Sequence, residues 1–141
     1  MLKRAFLVCC VAGKKAGLHR AADLYTSAWF IKARRLVEAT GAPWFILSAE
    51  HGLLAPDKTI GPYDKTLNTM PTAERRAWAE RVQLQMDAEL PEADEIIVLA
   101  GNRYREYLMP YLRVHFPTVT VPMEGLTIGR QLNWMDNAKT L

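Results

Sequence analysis

The stretch Trp44-Phe-Ile-Leu-Ser-Ala-Glu-His-Gly-Leu-Leu-Ala-Pro-Asp-Lys-Thr-Ile-Gly-Pro-Tyr-Asp64 changes character in its middle. It begins as an apolar run that reads as a buried strand. It then becomes a polar loop holding Ser48, Glu50, His51, Asp57, Tyr63 and Asp64. Such a change is expected where a parallel strand ends, and open α/β sheets take their ligands outside the carboxyl ends of their strands. Pro56 and Pro62 fix φ at their own positions, while Gly52 and Gly61 permit unusual backbone angles. The pattern predicts a stiffened loop that holds polar side chains still above a sheet.

Upstream, Ala5 to Val11 is an apolar run without alternation, as expected of a strand covered on both faces. Gly13-Lys14-Lys15-Ala16-Gly17 makes a basic turn after it. Asp23 to Ala39 carries Leu24, Ala28, Ile31, Leu36 and Val37 at roughly helical spacing, and Gly41 with Pro43 ends that helix. Downstream, Thr72 opens a long amphipathic helix to about Leu90, with Glu74 in its first turn and Pro91 after it. Glu95 to Ala100 reads as the third strand. A helix from Arg103 to about Phe116 follows, bent or divided at Pro110. Thr118 to Val121 is a fourth strand, and a last helix covers roughly Thr127 to Asn137.

The order β-α-β-loop-α-β-α-β-α implies a three-layer α/β domain spanning residues 1–141. Its sheet has about four mostly parallel strands with helices on both faces, because right-handed crossovers deliver them there. The sequence shows no repeat, low-complexity segment or linker.

Half of the 141 residues are apolar and 23% are charged, which is ordinary for a soluble globular protein. A net charge of +3 leans mildly toward an anionic partner. The neighbours Cys9 and Cys10 cannot pair without strain, which argues for a reducing, cytoplasmic compartment and against a secreted disulfide scaffold. The charged start and short apolar segment at the N-terminus resemble a signal peptide, but the same run reads better as the first strand. No apolar run approaches the roughly 18 residues of a membrane span.

Several familiar chemistries are absent. Gly13-Lys14-Lys15 lacks the earlier glycine and the hydroxyl residue of a phosphate-binding loop. There is no dinucleotide fingerprint and no serine nucleophile elbow, so Ser27 and Ser48 are poor acyl nucleophiles. His19, His51 and His115 have no metal-ligand spacing, so neither metal nor cofactor is expected.

The loop acids remain. A carboxylate kept ionised can activate water or stabilise a cation developing on a sugar, and Asp57 and Asp64 are the candidates. His51 could donate to a leaving group or hold a phosphate, and Tyr63 offers a face for a base. The plainer alternatives are that Asp57 caps a turn and that His51 closes the strand end. In a parallel sheet the other strand ends arrive on the same side. They bring Cys10, Lys14 and Lys15, then Gly101, Asn102, Arg103 and Tyr104, then Glu124, Gly125, Gly129, Arg130 and Gln131. Gly101 before a helix would leave backbone N–H groups facing an anion. Lys14, Lys15, Arg103 and Arg130 could contact phosphates, though any one of them alone is better read as solvated rim. Trp29, Phe30 and Trp78 read as core.

Cys10…Gly13-Lys14-Lys15, Asp23-Leu-Tyr-Thr-Ser27, Leu47-Ser-Ala-Glu-His-Gly-Leu-Leu54, Pro56-Asp57, Pro62-Tyr-Asp64, Leu99-Ala-Gly101, Tyr104-Arg105 and Gly129…Gln131-Leu132 resemble a small bacterial and phage domain family catalogued as a domain of unknown function. That family is similar to the peroxide-stress protein YaaA and to a domain of archaeosine synthase. The resemblance covers nearly the whole chain. It implies a uracil-DNA-glycosylase-like fold with its pocket at the carboxyl ends of a four-stranded parallel sheet. It also implies a modified-nucleobase or nucleic-acid substrate, as in a phage-defence glycosylase that removes glucosylated hydroxymethylcytosine.

The expected function is therefore a DNA glycosylase acting on a flipped-out nucleotide of modified, phage-type DNA. Asp57, then Asp64, would position water, and His51 would support the departing base. Ser48, Tyr63, Cys10, Gly101, Tyr104 and Gln131 would bind the substrate. Lys14, Lys15, Arg103 and Arg130 would hold DNA phosphates. A variant has Lys14 or Lys15 attack the sugar as an amine nucleophile. Two rival classes are a non-catalytic nucleic-acid-binding module and an enzyme on free nucleosides or nucleotides.

Overall fold

The computed structural model describes residues 2–10 and 13–141. At its centre is β1 (Arg4–Cys9), hydrogen-bonded in parallel to β3 (Trp44–Ser48) on one side and β6 (Glu95–Leu99) on the other. Ala5 to Val8 are fully buried, which explains a run with no polar alternation. Val11, where the sequence pattern carries this strand, lies outside the described residues. β7 (Thr118–Thr120) extends the sheet in parallel beyond β6.

The sheet has five strands rather than the expected four, in the order β4 (Gly52–Leu54), β3, β1, β6, β7. The extra one is β4, inside the stretch read as loop, and it runs antiparallel to β3 with Ser48 opposite Gly52. Leu53 and Leu54 are buried and favour sheet over loop, while Gly52 (φ +71°) lets the chain reverse. The outer edge of β4 is covered by Gln85, whose Oε1 accepts from Leu53 N–H (2.9 Å) and whose Nε2 donates to His51 carbonyl (3.0 Å). Covering an edge in this way protects it from pairing with another chain. A Cβ on Gly52 would lie 2.1 Å from Gln85 Oε1. Gly52→Ala is therefore expected to lower stability by more than about 1 kcal/mol, combining a strained φ with a displaced edge cover; chemical denaturation checks this.

The helix expected over Asp23–Ala39 is two pieces, α1 (Ala21–Leu24) and α2 (Ala28–Ala39). Ser27 divides them by capping α2, its Oγ accepting from Phe30 N–H at 3.2 Å. The chain between them is pinned to the basic turn, where Lys15 N–H donates to Leu24 carbonyl and Thr26 N–H to Gly13 carbonyl. Just before α1, β2 (His19–Arg20) pairs with β5 (Thr59–Ile60) in a two-stranded ribbon too short to show in the sequence pattern. α3 (Thr72–Glu89) lies where expected. Pro110 does divide its segment, into α4 (Asn102–Arg105) and α5 (Met109–His115), and occupies the first turn of α5. α6 (Ile128–Asn137) ends the ordered elements.

The crossover β1–α2–β3 runs one way along the sheet, while β3–α3–β6 and β6–α5–β7 run the other. Right-handed connections then put α2 on one face and α3 with α5 on the other. Side-chain contacts agree: Lys32 of α2 pairs with Asp136 of α6, and Gln83 of α3 donates to Tyr107 carbonyl before α5. Buried Arg75 of α3 pairs with Glu106 and lies over the Tyr107 ring. The buried apolar residues form one cluster spanning sheet and helices. Each fully buried Leu, Ile or Phe in it contributes roughly 1.5–3 kcal/mol. β1 and β6 are neighbours whose onward connections diverge, so a crevice opens at their carboxyl ends, where such folds bind ligands. Among the described residues no helix is long and apolar enough to cross a membrane.

Candidate active site

A cleft of about 390 Å³ occupies that crevice. Cys9, Cys10 and Lys14 enter it from the end of β1, and Gly101 and Tyr104 from the end of β6. Its volume falls in the range of small-molecule sites, roughly 300–1,000 Å³.

The wall opposite the strands is a strap, residues 61–71, leading from β5 to α3. Two contacts pin it. At one end the Tyr63 hydroxyl accepts from Ser48 Oγ (2.8 Å) and lies 2.7 Å from Tyr25 hydroxyl and 3.4 Å from Cys10 Sγ. At the other, Leu67 is buried and its N–H donates to Tyr104 hydroxyl at 3.4 Å. Thr66 Oγ1 also lies 3.4 Å from that hydroxyl and accepts from Asn68 N–H, closing a single 3-10 turn at Leu67–Thr69. The strap thus runs from the end of β3 across β1 to the end of β6, and it shows Asp64, Lys65, Thr66 and Asn68 to the cleft.

Ser48 is fully buried and fully used. Its Oγ accepts from His51 N–H (3.0 Å) and donates to Tyr63, and its carbonyl accepts from Trp78 indole N–H (2.9 Å). Burial raises both the Tyr63 and Tyr25 hydroxyl pKa values, so these groups stay neutral. Burial likewise pushes the Cys9 thiol up to about 12 and raises Cys10, against opposing pulls from Tyr63, Tyr25 and Lys14 on Cys10. A protonated, buried thiol is a poor nucleophile. Iodoacetamide at pH 8 is accordingly expected to leave the folded protein unlabelled and to label two thiols in denaturant, as read by intact mass. Above about pH 8.5 the unfolded thiols lose protons that the folded ones keep, so stability falls as pH rises through that window.

Lys14 is half-buried, with its ammonium 4.5 Å from the Tyr63 ring centroid and 5.8 Å from that of Tyr25. Those faces hold the charge at the cleft wall. Trp29, Ile128 and Gln131 complete the lining from α2 and α6.

The candidates from the sequence separate. Asp64, Tyr63, Cys10, Gly101, Tyr104, Gln131 and Lys14 line the cleft, and Ser48 lies behind it on Tyr63. Asp57 and His51 do not line it. Asp57 is exposed at the third position of a tight turn, Ala55–Lys58, where Lys58 N–H donates to Ala55 carbonyl with Pro56 second. His51 follows the end of β3, its ring edge-on to Tyr63 with the centroids 5.6 Å apart. Burial lowers its pKa, so the ring is neutral near pH 7. Lys15, Arg103 and Arg130, expected to gather at the cleft, do not line it: Lys15 faces an outer groove with Asp23 and Arg34, Arg130 faces a groove on α6, and Arg103 is exposed. The helix after Gly101 is one turn long, too short to offer the anion-binding terminus expected there.

Tyr25, Trp29, Lys65, Thr66, Asn68 and Ile128 received no site role from the sequence. Trp29 read as core and is core, at 5% exposed; Tyr25, which stood only within the motif of the family resemblance, is core as well, at 3%, and each turns a polar atom toward the cleft machinery. The strap residues stood next to Asp64 but carried no motif of their own.

Among the described residues no group of three or more metal-ligating side chains occurs. The family described as a family of unknown function (DUF6884) matches residues 5–137. The chain is 32% identical over 123 residues to "Uncharacterized protein YfjM" of Bacillus subtilis (strain 168), covering 81% of this chain and 80% of that protein. No solved structure matches it.

Proposed function

The chain belongs to the family of unknown function DUF6884, and we propose that it is a DNA glycosylase. The substrate is a modified nucleotide flipped out of DNA, with glucosylated hydroxymethylcytosine of phage DNA as the first candidate. The supporting observation is the company Asp64 keeps. Among the described residues it is the one carboxylate lining a cleft that also presents three aromatic rings, two side-chain amides and two lysines. Faces for stacking and polar groups for an edge suit an extruded base.

In this reading the bond between C1′ and the base nitrogen breaks, and its electron pair leaves with the base. Asp64 stabilises the oxocarbenium-like sugar and takes a proton from the water whose oxygen bonds to C1′. Lys14 offsets the negative charge on the departing base. Cys10, buried and protonated, takes no covalent part. The catalytic carboxylate moves from Asp57 to Asp64, and His51 becomes a support for Ser48. The divergent connections of β1 and β6 suit a uracil-DNA-glycosylase-like fold, the motif resemblance supports kinship to YaaA, and the two free, buried cysteines suit a cytoplasmic site of action.

A second reading has one observation in its favour. Lys15, Arg103 and Arg130 do not converge on the cleft, so a free nucleoside would lose nothing there. Incubation with unmodified, uracil-containing and phage-modified DNA, and in parallel with the free nucleosides, separates the two. Alkali-sensitive strand breaks in modified DNA support the glycosylase. Turnover of nucleosides alone replaces it, and salt-dependent binding with no product reduces the protein to a binding module.

A further inference from the structure

Gln131 has its amide polarity fixed from both sides. The Trp29 indole N–H donates to Oε1 at 2.8 Å, and Nε2 donates to Leu126 carbonyl at 2.8 Å. An indole nitrogen only donates and a carbonyl only accepts, so a flipped amide would lose both bonds. Each end keeps one further capacity: a lone pair on Oε1 and a hydrogen on Nε2. The two partners stand on packed helices, Trp29 in the first turn of α2 and Gln131 in α6, and both line the cleft.

We propose that the Trp29–Gln131 pair sets which class of nucleobase edge the cleft accepts, separating bases with a keto group beside a ring N–H from bases with an amino group beside a bare ring nitrogen. This rests on the nucleobase reading above. The keto edge shows acceptor then donor; the amino edge shows donor then acceptor. Against an amide of fixed polarity, with the sugar held toward Asp64, one order makes two hydrogen bonds. The other sets like against like. An amide free to turn would serve both. Gln131 is the reading group, and Trp29 is a positioning residue acting through it.

The test is calorimetric titration of the wild-type protein, Gln131→Met and Trp29→Phe with deoxyuridine and deoxycytidine, with thermal unfolding recorded for each. The wild type is expected to bind one nucleoside roughly 10- to 100-fold tighter than the other, the discrimination of one bidentate pair. Gln131→Met should bring the ratio close to one. Trp29→Phe, which leaves only the Leu126 bond to orient the amide, should give an intermediate ratio. A merely structural role would weaken both ligands alike and leave the ratio unmoved. Equal binding by the wild type, or a wild-type ratio kept by folded Gln131→Met, overturns the discrimination and leaves the nucleobase reading standing. Wild-type protein that binds neither nucleoside also overturns the discrimination, while the strand-break assay on modified DNA decides the nucleobase reading by itself.

Discussion

Asp64→Asn is expected to slow base release in single turnover by roughly 10²- to 10⁴-fold, the range of a lost general base or charge stabiliser, with DNA binding retained. Asp64 is exposed on the strap, so the unfolding midpoint should hardly move. Asp57→Asn is the matched control. It changes an exposed turn residue outside the cleft, and surface changes of that kind stay within about 0.5 kcal/mol. Its release rate should match the wild type. A dead Asp57→Asn beside an active Asp64→Asn would return the chemistry to the β4–β5 turn, and the cleft would lose its claim.

Tyr63→Phe should have the largest combined effect on stability and activity. One hydroxyl serves Ser48, Tyr25 and Cys10 at once. Removing it leaves the fully buried Ser48 hydroxyl without its acceptor, and an unsatisfied buried group costs about 1–3 kcal/mol. For a chain of this length that lowers Tm by roughly 2–4 °C per kcal/mol. The ring remains beneath Lys14, so the loss belongs to the hydroxyl and not to the cation's seat. Base release should fall as well, because the pin that sets the strap, and Asp64 with it, is gone. Tyr25→Phe removes a single contact of the same cluster and should cost less. Scanning calorimetry of the two variants orders them. Equal stability of Tyr63→Phe and wild type would mean that the four groups do not act as a unit.

The parts of the fold legible in the sequence were the continuous apolar runs and the long helices. β1 and β6 are apolar without alternation because both faces are covered, and α3 buries Trp78, Ala79, Val82 and Met86 at helical spacing. The breaks were harder. Ser27 caps a helix in the middle of a helical pattern, and only the pinning of Lys15 and Thr26 to neighbouring backbone shows why the chain must turn there. β4 was hidden because three residues carry no period, and its pairing depends on Gly52 and on a glutamine more than thirty residues away. The site divided in the same way. Tyr63, Tyr104, Gly101 and Asp64 followed from strand ends and turn residues. Asp57 resembled a catalytic acid for the reason that it makes a good turn: a proline before a carboxylate favours both. Convergence of Lys15, Arg103 and Arg130 was inferred from strand ends alone, but these side chains stand four to ten residues past their strands and point in directions that only packing decides. Trp29 could not be found from sequence, since its ring is core and its N–H is not.

The most direct measurement is a crystal structure of the Asp64→Asn variant with a DNA strand carrying the modified nucleotide. The expected result is a single base out of the stack, lodged between the strap and the ends of β1 and β6, its C1′ facing residue 64 and its edge on Gln131. DNA lying across another face with the cleft empty would contradict the account.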